Sequence, residues 1–393
     1  MVKTIDECFF QIQNGANIKQ GDVDDGFPIT RIETTANDKF NRDRMGYAGI
    51  TNISKYESYV LEDGDLLMSH INSVQYLGRT VLYVKEADET IIHGMNLLRL
   101  KARRNIIDPS YARYCFYGHS FRSKISNITK KSVNQASFAV KDLKQIKIEV
   151  PSLSEQDQIV KILDGIQNLI QMRNDELSAL DDLIKARFVE MFGNPLDGTA
   201  KYPIHHVGEV ANSVDPQPSH RTPPIDEDGI PYVSTKDCDY KTGKIDFEGA
   251  RKVSREVLEE HLNRYTLHDG DFVIGKIGTI GNPVFVPARD DYTLSANVVL
   301  VQPDSDLVSP YFLKCSFESD FVERQFAEAK NSTSQAAFGI QKVRTVKVMN
   351  PGLNIQRGFA DFVKQVDKSK AAVQKALDET QLLFDSLMQE YFG

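Results

Sequence analysis

Gly270–Lys276 reads GDFVIGK, which nearly spells a phosphate-binding P-loop. That motif needs a Ser or Thr after its Lys to hold Mg²⁺, and this chain has Ile277 there. The four residues between Gly270 and Gly275 are those of a β-strand, and the related stretch Gly64–His70, GDLLMSH, lacks the Gly-Lys pair. GKIGTIG, from Gly275, does not have the dinucleotide-binding spacing. Asp304, Glu328 and Lys330 are residue types a nuclease would use, but Glu328 and Lys330 fall at a helix end rather than on paired strands. The chain has no NPPF or NPPY motif of the amino-methylating type. His70, His93 and His119 show no metal-ligand spacing and are expected in turns or on the surface. Cys8, Cys115, Cys238 and Cys315 are isolated, so neither a zinc site nor a disulfide framework is expected. No complete catalytic constellation emerges.

What does emerge is a repeat. NQASFAVKDLKQIKIEVPSLSEQ (134–156) aligns without a gap with SQAAFGIQKVRTVKVMNPGLNIQ (334–356). Carried through Gly193 and Gly393, the 200-residue shift leaves twelve of sixty positions identical. These include Gln135/Gln335, Phe138/Phe338, Pro151/Pro351, Leu153/Leu353, Gln156/Gln356 and the closing Phe-Gly of EMFGNP and EYFG. EDGDLLMSHI (62–71) resembles HDGDFVIGKI (268–277), and DDGFPIT (24–30) resembles EDGIPYV (227–233). The chain is a tandem duplication of a unit of about 200 residues, too few copies for a solenoid.

Each copy has two parts, which divides the chain into 1–150, 151–193, 194–352 and 353–393. The first part of each copy is mixed. Short β-like runs (DLLMSHI, TVLYV, IKIEV; DFVIGKI, NPVFV, NVVLV) alternate with Gly/Asp turns, and helices start at Pro109 and Pro310. The second part predicts one long helix. Ser154 with Asp157 is the expected cap of the first, and Asn354 that of the second. Apolar residues recur every seven positions: Leu163, Ile170, Leu177, Ile184 and Met191 in one column, Ile159, Ile166 and Leu180 in its companion. The second copy has Val363, Leu377, Phe384 and Tyr391 beside Phe359, Val366, Val373 and Leu387. This is a heptad seam with polar interruptions such as Arg173 and Lys370. Thirty-six helical residues at ~1.5 Å each make a rod of about 54 Å. Two equivalent rods favour pairing with each other, and an antiparallel pair puts the two mixed domains at opposite ends. The fold class expected is therefore α+β: two similar mixed α/β domains separated by two long antiparallel coiled-coil helices, with pseudo-two-fold symmetry.

Composition is compatible with this. At 393 residues and 41% hydrophobic, the chain is long and apolar enough for several cores. It has no apolar run of the ~18–20 residues a membrane span needs, and its N-terminus carries acids where a signal peptide is basic. A soluble cytoplasmic protein without membrane contact is expected. The net charge is −8, but residues 1–150 are net +3 and residues 201–350 net −5. Local patches decide phosphate binding, so the total excludes little.

A duplicated chain, each half a variable α/β unit followed by a long helix closing on Phe-Gly, resembles the specificity subunit of type I restriction–modification systems. The resemblance covers the full length and rests on GDLLMS/GDFVIG, NQASF/SQAAF followed by P-x-L…Q, and EMFGNP/EYFG. It implies two target-recognition domains, each reading one half of a divided double-stranded DNA sequence. It also implies a helix pair that sets the spacing and docks two methyltransferase subunits. The chain itself would bind no cofactor. S-adenosylmethionine would sit on the methyltransferase subunits, and ATP and Mg²⁺ on restriction subunits where a system has them. Residues suited to DNA contact fall in three groups. The first is the loops before the repeated Gln: Lys130, Lys131, Ser132, Asn134 and Gln135, and Lys330, Asn331, Ser332, Thr333 and Gln335. The second is the strand ends, with Ser69, His70, Lys276 and Thr279. The third is basic clusters, with Lys39, Arg42 and Arg44, and Arg99, Lys101, Arg103 and Arg104. The acidic second domain departs from what a lone DNA binder would show. The other class to weigh is a two-headed coiled-coil adaptor between proteins, which would show no sequence-dependent retention on duplex DNA.

Overall fold

A computed structural model describes residues 1–21, 24–131, 135–219, 221–240, 242–276, 280–331 and 338–393, apart from the side chains of Lys330 and Asn331. The chain forms two compact units: Met1–Asn174 with Lys375–Gly393, and Asp175–Gln374. Each unit thus takes one mixed domain, the start of one long helix and the end of the other. The fold is α+β, and the repeat is structural as well as textual.

In the first unit, a four-stranded antiparallel sheet runs Phe9–Asn14, Leu97–Ala102, Leu66–Ser69, Thr80–Leu82. The second unit repeats the order with Ala211–Val214, Val298–Pro303, Phe272–Gly275 and Val284–Phe285. A two-stranded pair closes each domain: Val2–Thr4 with Lys147–Glu149, and Ile204–His206 with Lys347–Met349. The strand Leu66–Ser69 is buried along its whole length, as is Phe272–Gly275, which explains their unbroken apolar character. The shared Gly-Asp before them makes the turn. Gly64 (φ +86°) and Gly270 (φ +94°) adopt the left-handed backbone that glycine tolerates. The next carboxylate ties the turn, Asp65 Oδ2 accepting from Glu62 N at 2.8 Å and Asp271 Oδ2 from His268 N at 2.9 Å. Burial raises the pKa of both carboxyls. GDFVIGK is therefore a turn and a central strand.

The domains diverge elsewhere. The first carries five short 3-10 turns between Ile32 and Tyr76. The second has the strand Ile230–Val233 between Lys252–Val253 and Thr293–Leu294 where the first has isolated bridges from Ile29 to Gly46 and Ile92, and it adds a 3-10 turn at Thr235–Asp237 and a helix at Arg255–Leu262.

The long helices span Leu153–Phe192 and Leu353–Phe392. Their caps correct the expectation. Ser152, not Ser154, starts the first: its Oγ accepts from Glu155 N, and Glu155 Oε2 accepts from Ser152 N at 2.8 Å. In the second helix Asn354 lies inside the first turn, and Gly352 O accepts from Gln356 N. The heptad columns face inward. Leu163, Ile166, Val363, Val366 and Val373 are buried, and Ile170, Leu177, Ile184, Leu377 and Phe384 are half-buried. Within the second unit the helix segments run antiparallel. Phe188 meets Phe359 (5.5 Å between rings), and seven residues earlier Asp181 pairs with Lys370.

The Phe-Gly endings close the cores. Phe192, fully buried, sits 4.9 Å from Phe312 and 5.4 Å from Phe359. Phe392 sits 5.3 Å from Tyr111, the residue equivalent to Phe312. The helices starting at Pro109 and Pro310 stop at Tyr117 and Phe317, and second helices follow at His119–Ile128 and Asp320–Asn331. At the first break, a Cβ on Gly118 would lie 2.4 Å from Phe392 Cβ, so the glycine makes room for the helix end. All four cysteines are free and buried. Among the described residues, no helix is long and apolar enough to cross a membrane.

Candidate nucleic-acid interface

In the first unit two of the loops singled out from sequence meet. Strand Leu66–Ser69 ends at His70, and Ile71–Asn72 follows. Ala136–Ser137 pairs with Ile71–Asn72 on one side and with Lys130–Lys131 on the other, antiparallel to both. Phe138 N donates to His70 O at 3.3 Å, which pins the later loop to the strand end. Lys130, Lys131 and Gln135 are exposed on this small sheet. Ser132 and Asn134 lie outside the described residues. Ser69 is buried, its Oγ accepting from Asn72 Nδ2 at 3.4 Å.

Two of the three histidines are not where the sequence suggested. His70 and His93 are buried, and only His119 is exposed. His93 Nε2 lies 2.9 Å from Leu97 O, while Nδ1 of both rings has no partner. Burial pulls His70 down to about 4, partly offset by a hydrogen bond to the Asn96 backbone. Burial, then the Arg99 charge, takes His93 to about 3.

The second unit places a different residue at the same station. Strand Phe272–Gly275 ends at Lys276, whose carbonyl accepts from Phe338 N at 2.9 Å, the counterpart of the His70–Phe138 bond. Lys276 is buried, and its Nζ donates to the buried Asp215 at 2.8 Å. Asp215 Oδ1 also accepts from Gln217 N at 3.2 Å, and Gln217 accepts from Tyr232 OH. Thr279, Ser332, Thr333 and Gln335 lie outside the described residues, as do the side chains of Lys330 and Asn331.

The basic clusters separate from these loops. Arg42 is engaged by acids: Nε and Nη2 contact Glu89 at 2.9 and 2.7 Å, and Nη1 contacts Glu86 at 2.9 Å. This pairing drops Glu89 to about 2. Arg44 and Arg103 are exposed. Arg104 Nη2 donates to Asp63 O at 2.6 Å, before the start of strand Leu66–Ser69 and so at the opposite end from His70. Lys39 reaches Gln171, and Lys101 pairs with Glu62. Arg99 is no surface cation. It is buried, donating to Val60 O at 2.8 Å and Ser58 O at 2.7 Å, and it fastens that loop to the sheet.

Three features escaped the sequence reading: the Lys276–Asp215 pair, the main-chain bonds to Phe138 and Phe338, and the part played by Gln156 and Gln356. The last two were visible as identities between the copies. Among the described residues no group of three metal-ligating side chains forms. What remains among the described residues is, in the first unit, a small sheet carrying exposed Lys130, Lys131 and Gln135, side chains of a kind suited to phosphates and base edges.

The model of the type I restriction modification DNA specificity domain matches residues 1–181 and 225–380. A putative type I restriction enzyme MjaX specificity subunit of Methanocaldococcus jannaschii is 24% identical, covering 95% of this chain and 90% of that one. The EcoKI specificity subunit of Escherichia coli is 22% identical over 47% of this chain. Two solved structures share the fold over the whole chain. The S subunit of a type I restriction-modification system from M. genitalium gives a TM-score of 0.58 at 14% identity and is 96% covered. A chain from work on complex assembly and conformational transition of the type I R-M system gives 0.56 at 15%, with 96% covered. With the domain matched in two stretches that together span most of its length, the chain belongs to the type I restriction–modification DNA specificity family.

Proposed function

We propose that this chain is the sequence-reading subunit of a type I complex, with each mixed domain recognising one half of a divided DNA target. The observation that carries this reading is a shared frame with unlike contents. Sheet order, turns and loop anchors repeat, while the residue at the strand exit changes from His70 to Lys276. A frame that recurs serves what the halves have in common, and contents that differ serve two different half-sequences. The long helices set the gap between half-sites and dock two methyltransferase subunits. The exposed apolar residues Ile162, Leu169 and Met172 on the first helix support the docking part. The chain itself performs no chemistry. S-adenosylmethionine belongs to the methyltransferase partners, and ATP with Mg²⁺ to a restriction subunit where one is present. A DNA target is consistent with a cytoplasmic location.

Methylome sequencing of cells with and without the chain tests this. A divided methylation motif that disappears with the chain is expected. Purified chain that methylates DNA or hydrolyses ATP without partners overturns the non-catalytic assignment. Partner-bound complex with no sequence-dependent retention on duplex DNA favours the adaptor instead.

A further inference from the structure

Gln156 and Gln356 are both fully buried in the first turn of their long helices, a place where a carboxamide is ordinarily solvated. Each uses its oxygen and both amide hydrogens. Gln156 Oε1 accepts from Asp108 N at 2.8 Å, and its Nε2 donates to Ile106 O at 3.0 Å and Pro151 O at 2.9 Å. Gln356 Oε1 accepts from Ser309 N at 2.7 Å, and its Nε2 donates to Asn350 Oδ1 at 2.8 Å and Pro351 O at 2.6 Å. Asp108 and Ser309 are the N-cap residues of the helices that start at Pro109 and Pro310. In each unit one carboxamide therefore joins the start of the long helix to the start of the helix that backs the domain's sheet.

We infer that Gln156 and Gln356 are positioning residues for half-site spacing, each fixing the angle at which its long helix leaves its reading domain. This rests on the function proposed above and adds to it the device that keeps the ruler true. Three observations carry it. The Gln survives in both copies, although four-fifths of the sixty aligned positions differ. Both amide hydrogens and the carbonyl oxygen are used, so the group has one orientation. In each copy its partners come from two separate stretches, 106–108 and 151 for Gln156 and 309 and 350–351 for Gln356, main-chain atoms except for the Asn350 side chain, so it restrains direction as well as contact. The lever is long. Forty helical residues at ~1.5 Å make about 60 Å, so a swing of about 3° at the clip moves the far end by one ~3.4 Å base step.

The test is the methylation motif of the chain in complex with its modification subunits, for wild type, Q156M and Q356M. Methionine keeps the volume and removes the hydrogen bonds. The expected result is unchanged half-sequences with the gap broadened by one or two base pairs. L143A, a buried core substitution in the first unit that removes none of the clip's hydrogen bonds, should lower thermal stability and leave one gap. If Q156M does not fold, Q356M carries the test in the second unit, where the same three hydrogen bonds are removed. Folded clip variants that keep the wild-type gap overturn the inference, and so does L143A broadening the gap equally. A wild-type complex with an undivided motif overturns the underlying function instead, and is recognised as such because it precedes any mutation.

Discussion

Phe192 marks the end of the first repeat and lies in the core of the second unit, which makes it a sharp probe of how the chain closes. Its ring is fully buried, with Phe188, Phe312 and Phe359 centred 4.9, 4.9 and 5.4 Å away and Tyr202 at 6.0 Å. Phe192→Ala leaves a cavity among rigid rings that cannot collapse far, so the expected loss is the usual ~3–5 kcal/mol for Phe→Ala. For a unit of 200 residues, each kcal/mol is worth about 2–4 °C, giving a fall of roughly 6–20 °C. Hydrogen exchange along a thermal ramp assigns the loss. Protection should fall in Phe272–Gly275, Val298–Pro303 and Pro310–Phe317, while strands Leu66–Ser69 and Leu97–Ala102 of the first unit keep theirs. Phe392→Ala should produce the mirror pattern, because Phe392 packs on Tyr111 and beside Gly118. A loss below about 1 kcal/mol, or protection lost only at the helix end, refutes the idea that these residues are core members.

Removing one heptad from each long helix shortens the spacer by about 10 Å, or roughly three base pairs, and keeps the seam in register. The methylated motif should retain both half-sequences with a shorter gap, and a folded, active deletion with the original gap rejects the ruler. Lys130→Ala and Lys131→Ala, measured in the partner-bound complex, should each lower the slope of log affinity against log salt by about 0.9 on all DNA sequences; an unchanged slope removes this loop from the interface. Acidification should weaken the first unit. Its folded state keeps His70 and His93 neutral, so the unfolded chain takes up more protons below pH 6.5. Stability is therefore intact above that value and falls as pH drops towards about 4 for His70 and about 3 for His93, with His70 alone accounting for about 3 kcal/mol. Denaturant melts of His70→Leu between pH 4 and 7 should show a flatter dependence, and a slope equal to wild type contradicts this.

The periodic and repeated parts of the molecule were legible because they depend on local rules. Heptad columns, strand runs and Gly-Asp turns need only neighbours within a few residues. The caps show where such rules lose resolution. Ser152 and Ser154 each have an acid three residues on, Glu155 and Asp157, and both satisfy the same pattern; the helix starts at Leu153, so Ser152 is the one that pairs with its acid. The candidate site was legible in outline only. That Lys130, Lys131 and the His70 strand end would share a sheet depends on pairing across some sixty residues. Arg99 looked like one cation of a basic run, yet its partners Ser58 and Val60 lie about forty residues earlier in sequence and draw it inside. Lys276 was a strand-end cation whose counter-ion, Asp215, is 61 residues away. Each of these outcomes is decided by an uncorrelated distant residue, which composition and spacing do not encode.

The same contrast bears on how specificity is built. At the strand exit, one copy buries an imidazole with an unpartnered nitrogen and the other buries an ammonium against a carboxylate. Both keep the identical main-chain bond from the Phe that follows the loop. A main-chain bond is indifferent to the side chain, so the residue between strand and loop is free to change without dislodging the loop. The side chain is then left to shape the ground under the loop, differently in each domain. Beneath it the carboxamide clips and the Phe-Gly helix ends stay the same, because they serve the direction and closure that both halves need. A sequence that drifts at the first level and holds at the second can acquire a new half-site without losing the distance to the other.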